Sequence, residues 1–77
     1  MRKEFLNARR LLCPLPVIRV QDQVKQLRCG DLLEVVCTDP GVMQDIPAWC
    51  RINGHKVINA TSADSEYTIV IEVGNSD

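Results

Sequence analysis

Two proline-headed helix entrances, Cys13-Pro14-Leu15-Pro16 and Asp39-Pro40, stand on either side of one strand-like run, Leu32 to Thr38, and this alternation constrains the fold more than any other feature. Proline suits a first helical turn because the N–H it lacks would have no intrahelical partner there, and its φ is already close to helical. Beyond Cys13, Val17, Val20, Val24 and Leu27 recur at helical spacing, so a first helix is predicted from Pro14 to Leu27. Cys29-Gly30 stops it, with Gly30 as the left-handed residue past its end. In Leu32 to Thr38, Leu33, Val35 and Cys37 fall on one face and Leu32, Glu34 and Val36 on the other, as in a largely buried strand. Asp39 is a capping residue followed by proline, which predicts a second helix from Pro40 to about Asn53 with an apolar stripe of Val42, Ile46, Trp49 and Cys50, ended by Gly54. Pro47 removes the hydrogen bond to the Met43 carbonyl, so a kink or a two-piece start is expected there.

Phe5 to Ala8 forms a short strand before the first helix. Lys56 to Thr61 and Tyr67 to Val73 flank the polar turn Ser62-Ala63-Asp64-Ser65, the pattern of a hairpin, with Tyr67, Ile69, Ile71 and Val73 toward the core. Strands joined through a helix favour a parallel pair, whereas a hairpin is antiparallel. The reading is an α/β protein of the α+β two-layer sandwich kind, ordered βαβαββ, with a mixed four-stranded sheet and both helices on one face. Seventy-seven residues make one domain, 1–77, with room for one sheet and one helical layer. Apolar residues at 45% and charged residues at 25% argue against disorder, and with only Phe5, Trp49 and Tyr67 as aromatics the core is aliphatic. A net charge of −1 gives no general attraction to nucleic acid, although Arg2, Lys3, Arg9 and Arg10 cluster near the start. Neither a signal peptide nor a spanning segment is legible, so a cytoplasmic location and no membrane partner are expected.

Cys13 is the candidate reactive group. At a helix entrance the positive dipole end and the free N–H groups of Leu15 and Val17, with Pro14 and Pro16 stiffening the turn and Arg9 and Arg10 just upstream, would favour the thiolate. A merely capping residue at this point would be better served by Ser, Thr or Asp. The other cysteines read as structural. Cys37 alternates in phase with Leu33 and Val35, Cys50 follows Ile46 by one turn, and Cys29 at a helix C-terminus faces the negative dipole end. No C-x-x-C pair is present, so neither a redox motif nor zinc-knuckle spacing is indicated, and a disulfide framework is not needed by such a chain. No second ligand stands at chelating distance from Cys13, so no metal and no cofactor are expected. His55 has no partner at catalytic spacing and reads as structural. If the first two strands are parallel, Cys13 and Cys37 lie toward the same sheet edge. A redox switch would need Cys37 or Cys50 within about 7 Å of Cys13 between α-carbons. A regulatory interaction module without sulfur chemistry is the other alternative.

Leu6-Asn7-Ala8-Arg9-Arg10-Leu11-Leu12-Cys13-Pro14-Leu15-Pro16, Gly30-Asp31, Asp39-Pro40, Asp45-Ile46-Pro47 and Trp49-Cys50 together resemble the TusA/SirA family of small sulfur carriers, the C-P-x-P element being the most specific part. The resemblance implies that Cys13 accepts sulfane sulfur as a persulfide from a cysteine desulfurase or similar donor and passes it to an acceptor protein, as a sulfurtransferase-type carrier working with partner enzymes. Relays of this kind lead to tRNA thiolation, molybdenum cofactor enzymes or sulfur oxidation. The exposed side of the first helix, with Arg19, Gln23 and Gln26, is the candidate docking surface. The family usually has Asp where Asn7 stands and Gly where Arg10 stands. Loss of a carboxylate and gain of a guanidinium near Cys13 predict a lower thiol pKa than in typical members.

Overall fold

The computed structural model describes residues 2–74. Six elements follow in the expected order: β1 Lys3–Ala8, α1 Leu15–Val24, β2 Leu32–Cys37, α2 Val42–Ile52, β3 Lys56–Ala63 and β4 Glu66–Glu72. They form one mixed sheet with strand order β1-β2-β4-β3. β1 and β2 are parallel, joined across α1, with Ala8 opposite Cys37 at the end of the pair. β4 lies antiparallel to both β2 and β3. The β3–β4 turn is tighter than the sequence suggests. Asp64 and Ser65 alone form it, at φ 53° and 65°, the left-handed pair that matches the twist of a two-residue hairpin.

Alternation along β2 and β4 turns Leu33, Val35, Cys37, Ile69 and Ile71 fully inward, where they meet Val20 and Val24 of α1 and Val42, Ile46 and Cys50 of α2. The predicted core side of β4 is therefore the observed one, with Tyr67 packed at its margin. Val36, on the opposite sheet face, is also buried, at 5% exposure.

The helix limits differ from expectation. α1 begins at Leu15 with Pro14 as its cap residue and Pro16 inside the first turn, and it ends at Val24 rather than Leu27. Cys13 thus precedes the cap. At the far end, isolated turns through Leu27 replace the last helical turn, and Gly30, at φ 95°, serves the approach to β2, its N–H donating to the Val73 carbonyl at 2.8 Å. The aspartate at the head of α2 lies two residues before the cap position, Gly41, and the helix itself begins at Val42 rather than Pro40. Asp39 Oδ1 accepts the Gly41 N–H at 3.0 Å and its carbonyl accepts the Val42 N–H at 3.2 Å, a turn that leads into the helix. α2 is continuous through Pro47 instead of starting in two pieces.

Asp31 is a buried carboxylate that ties the chain start to the β2 entrance. It accepts the Arg28 N–H at 2.9 Å and the Arg2 N–H at 3.1 Å. Those donors hold its carboxyl below the usual aspartate range.

Candidate functional site

Because β1 and β2 run parallel, the segments that follow them leave the sheet at the same edge. The loop carrying Cys13 therefore meets the loop carrying Asp39. One carboxylate joins them: Asp39 Oδ2 accepts the Cys13 N–H at 2.9 Å while Oδ1 holds the Gly41 N–H. The Arg10 N–H donates to Thr38 Oγ1 at 2.9 Å, a second tie between the loops. Past Asp39 the first turn of α2 brings Asp45 against the sulfur, and Cys13 Sγ–H donates to Asp45 Oδ2 at 3.1 Å. Cys13 itself is exposed. The Cys13–Pro14 peptide is cis, and the Leu15 N–H donates to the Leu12 carbonyl at 2.9 Å.

The electrostatics reverse one expectation. Sγ takes no hydrogen bond from the opening turn of α1 among the described residues, and the groups that act on it are carboxylates. The hydrogen bond to Asp45 raises the Cys13 pKa above its ordinary value first, then desolvation, then the charges of Asp45 and Asp39. Ionising the thiol would set a second anion against Asp45, so the resting site keeps the proton. Asp39 shifts the other way, since the Gly41 and Cys13 N–H groups stabilise its charge.

The upstream arginines account for part of the difference. Arg9 turns to the outer face of the sheet, where Nε donates to Glu66 Oε2 at 2.8 Å and Nη2 to Glu66 Oε1 at 3.2 Å. Its Nη1 and its N–H reach Asn7 Oδ1. A guanidinium paired in this way does not offset the carboxylates at Cys13. Arg10 occupies φ 68°, a left-handed conformation that glycine adopts without cost and that an arginine side chain makes strained. Pro16 is buried and anchors the helix entrance, while Val17 packs against the core margin.

Of the predicted docking residues, Arg19 and Gln26 are exposed and Gln23 is half-buried. Nearer to the sulfur is an apolar collar the sequence reading did not single out: Leu12 is 71% exposed, and Leu15 and Ile18 are each 44% exposed.

The remaining cysteines are free thiols, Cys29 exposed and Cys37 and Cys50 buried. Burial pushes the latter two up to about 11, with the charge of Asp39 adding to the effect at Cys37. His55 stacks on Trp49, with ring centroids 5.0 Å apart, and its Nδ1 accepts the Gly74 N–H at 3.0 Å. Both rings line a cavity of about 240 Å³ between the C-terminal ends of the two helices, at the other end of the layer from Cys13.

Asp39 and Asp45 are the site residues that sequence reasoning missed. Both lie in segments it singled out, Asp39-Pro40 and Asp45-Ile46-Pro47. The usable signal was the parallel pairing of β1 and β2, which brings whatever follows β2 to whatever follows β1.

The mixed four-stranded sheet with its two helices has a solved counterpart in fold. A SirA-like protein of Desulfitobacterium hafniense matches the fold with a TM-score of 0.82 over 94% of this chain and 99% of that one, at 20% identity. In sequence, the profile of the sulfurtransferase TusA family matches residues 4–73, and the chain belongs to that family. A sulfur-carrier-type protein of Neisseria meningitidis serogroup A is 38% identical over 72 residues, covering 94% of this chain and 97% of its own length. The sulfur carrier protein TusA of Pseudomonas putida strain F1 is 42% identical over 54 residues, covering 70% of this chain and 68% of its own.

Proposed function

We propose that this chain is a one-domain sulfur carrier whose Cys13 takes up sulfane sulfur as a persulfide from a donor protein of the cysteine desulfurase class and hands it to a thiol on an acceptor protein. The observation that carries the proposal is the exposed Cys13 sulfur at the α1 entrance, in a chain that belongs to the sulfurtransferase TusA family. Thiol exchange needs one attacking sulfur on the carrier and one on each partner. A neighbouring reactive thiol would divert the cargo into a disulfide and release sulfide. Burial of Cys37 and Cys50 fits that requirement and gives the redox alternative no support.

A partner must bring its own sulfur to Sγ, so docking has to surround Cys13. Leu12, Leu15 and Ile18 offer exposed apolar contact there, with Arg19 and Gln23 on α1 and Gln26 in the turn past its end as a polar margin. The cytoplasm is the location such donors and acceptors imply. No helix among the described residues is long and apolar enough to cross a membrane.

The test uses the reduced protein with cysteine and a pyridoxal phosphate-dependent cysteine desulfurase. Intact mass should rise by one sulfur, reverse with dithiothreitol, and not rise in Cys13→Ser. Equal loading of Cys13→Ser would overturn the proposal.

A further inference from the structure

A carrier that must attack a persulfide starts, in this structure, from a protonated thiol flanked by two carboxylates. The charged groups that act on Sγ are Asp45, from the first turn of α2, and Asp39, from the loop after β2. Neither is engaged by Lys or Arg in an ion pair among the described residues. Their roles differ by geometry. Both oxygens of Asp39 are occupied by backbone N–H groups, so it fixes the loop that carries Cys13. Asp45 instead spends Oδ2 on the sulfur itself, 3.1 Å away. A group at that distance, touching the reacting atom, has the position of a general base.

We infer that Asp45 is a catalytic residue that takes the Cys13 Sγ proton as the sulfur attacks and returns it when a thiolate leaves. The inference rests on the sulfur-carrier reading above. In uptake, Cys13 Sγ bonds to the terminal sulfur of a donor persulfide, R–S–SH, and the donor S–S bond breaks with its electron pair going to R–S⁻. The Sγ proton moves to Asp45 Oδ2 and from there to R–S⁻. The products are Cys13 persulfide and R–SH, with no net redox change. In delivery, an acceptor thiol attacks the outer sulfur, its proton passes to Asp45 Oδ2 and from there to the departing Cys13 sulfur as the S–S bond breaks, which leaves Asp45 a carboxylate again. The carboxylate that suppresses free thiolate thus supplies the route by which the thiol reacts. It guards the sulfur from adventitious electrophiles at the same time.

The experiment measures single-turnover sulfur uptake from cysteine persulfide between pH 6 and 9, by intact mass, for the otherwise unaltered protein and for Asp45→Asn, both in a Cys29→Ser background that removes the other exposed thiol. Donor ionisation is common to both proteins, so the ratio of their rates reads the site. Asp45→Asn should be about a thousandfold slower at pH 6, within the range of general-base effects, and should gain about tenfold per pH unit until the two converge near pH 9. Asp45→Glu should keep much of the pH 6 rate, and thermal unfolding confirms that each variant is folded. If Asp45 only raises the thiol pKa, Asp45→Asn has more thiolate and is the faster protein at every pH, which overturns the inference. Should Asp45→Asn fail to fold, Asp45→Glu decides, because a flat pH profile supports the base and a rise of about tenfold per unit refutes it. Absence of uptake by the unaltered protein would instead sink the carrier reading itself.

Discussion

Two isoleucines on α2 give a controlled test of how the site is held. Ile46 is fully buried beside Asp45, whereas Ile52, in the last turn of the same helix, is 81% exposed. Replacing Ile46 by Ala removes three buried carbons, about 0.8 kcal/mol each in transfer free energy. The cavity left between α2 and the sheet adds to this, and the observed range for such truncations is about 2–5 kcal/mol. Alanine's better helix propensity returns a few tenths of about 1 kcal/mol. The expected loss is therefore about 3 kcal/mol, a large share of the roughly 4–12 kcal/mol typical of a chain this long. In a domain of this size that lowers Tm by roughly 12–24 °C. Ile52→Ala should stay within about 0.5 kcal/mol of the unaltered protein, since it leaves no cavity. Urea unfolding followed by circular dichroism gives both values, read from the midpoints at constant m. Equal effects at the two positions, or a loss below about 1 kcal/mol at Ile46, would refute the packing argument that fixes α2, and Asp45 with it, against the sheet.

Further predictions follow from the thiols, the acid side of the stability profile and the loop before Cys13. Native alkylation should label Cys13 and Cys29 only, with Cys37 and Cys50 joining in denaturant, because burial holds the latter pair as thiols up to about pH 11. The alkylation rate of Cys13 in a Cys29→Ser background should reach its half-maximum at higher pH in the folded protein than in urea, and a lower midpoint would contradict the carboxylate contacts. Asp31, Asp39 and Glu66 have folded pKa values below their unfolded ones. Their contribution is complete above about pH 5 and is lost as pH falls through the depressed values, so the urea midpoint should drop there, and less steeply in Asp31→Asn. Arg10→Gly should stabilise the fold by about 0.5–1 kcal/mol by relieving a left-handed non-glycine residue, which thermal unfolding will register.

Order and type of the elements and the β1–β2 and β3–β4 pairings were legible because each rests on local signals, whereas the β2–β4 pairing that sets the strand order rests on none. Proline-headed starts, a period of two in β2 and β4, and a polar hairpin turn belong to short stretches of chain, and the burial of Cys37 and Cys50 follows from the same periods. The helix limits were less legible. Pro14 can open a helix, but whether Cys13 or Pro14 is the cap depends on where the Cys13 N–H goes, and it goes to Asp39, 26 residues away. The electrostatics of the site were read in the wrong direction for a related reason. Proximity in sequence suggested that Arg9 and Arg10 govern Cys13, yet alternation past Ala8 sends Arg9 to the outer sheet face and Glu66. The group that governs the thiol comes from α2, 32 residues on, and only packing of the two helix entrances at one sheet edge brings it there. Cysteine at a helix start is not sufficient evidence for a thiolate. The side chains delivered by the neighbouring loop decide.

The central claim is that one thiol of four holds transferable sulfur. Load the reduced protein from a cysteine desulfurase with isotopically labelled cysteine sulfur, remove the donor, and chase with a reduced thiol acceptor while mapping the label by peptide mass spectrometry. The account predicts label on Cys13 alone, followed by its passage to the acceptor and a return of Cys13 to the free thiol. Label on Cys29, Cys37 or Cys50, or a Cys13 disulfide to one of them in place of persulfide, would contradict it.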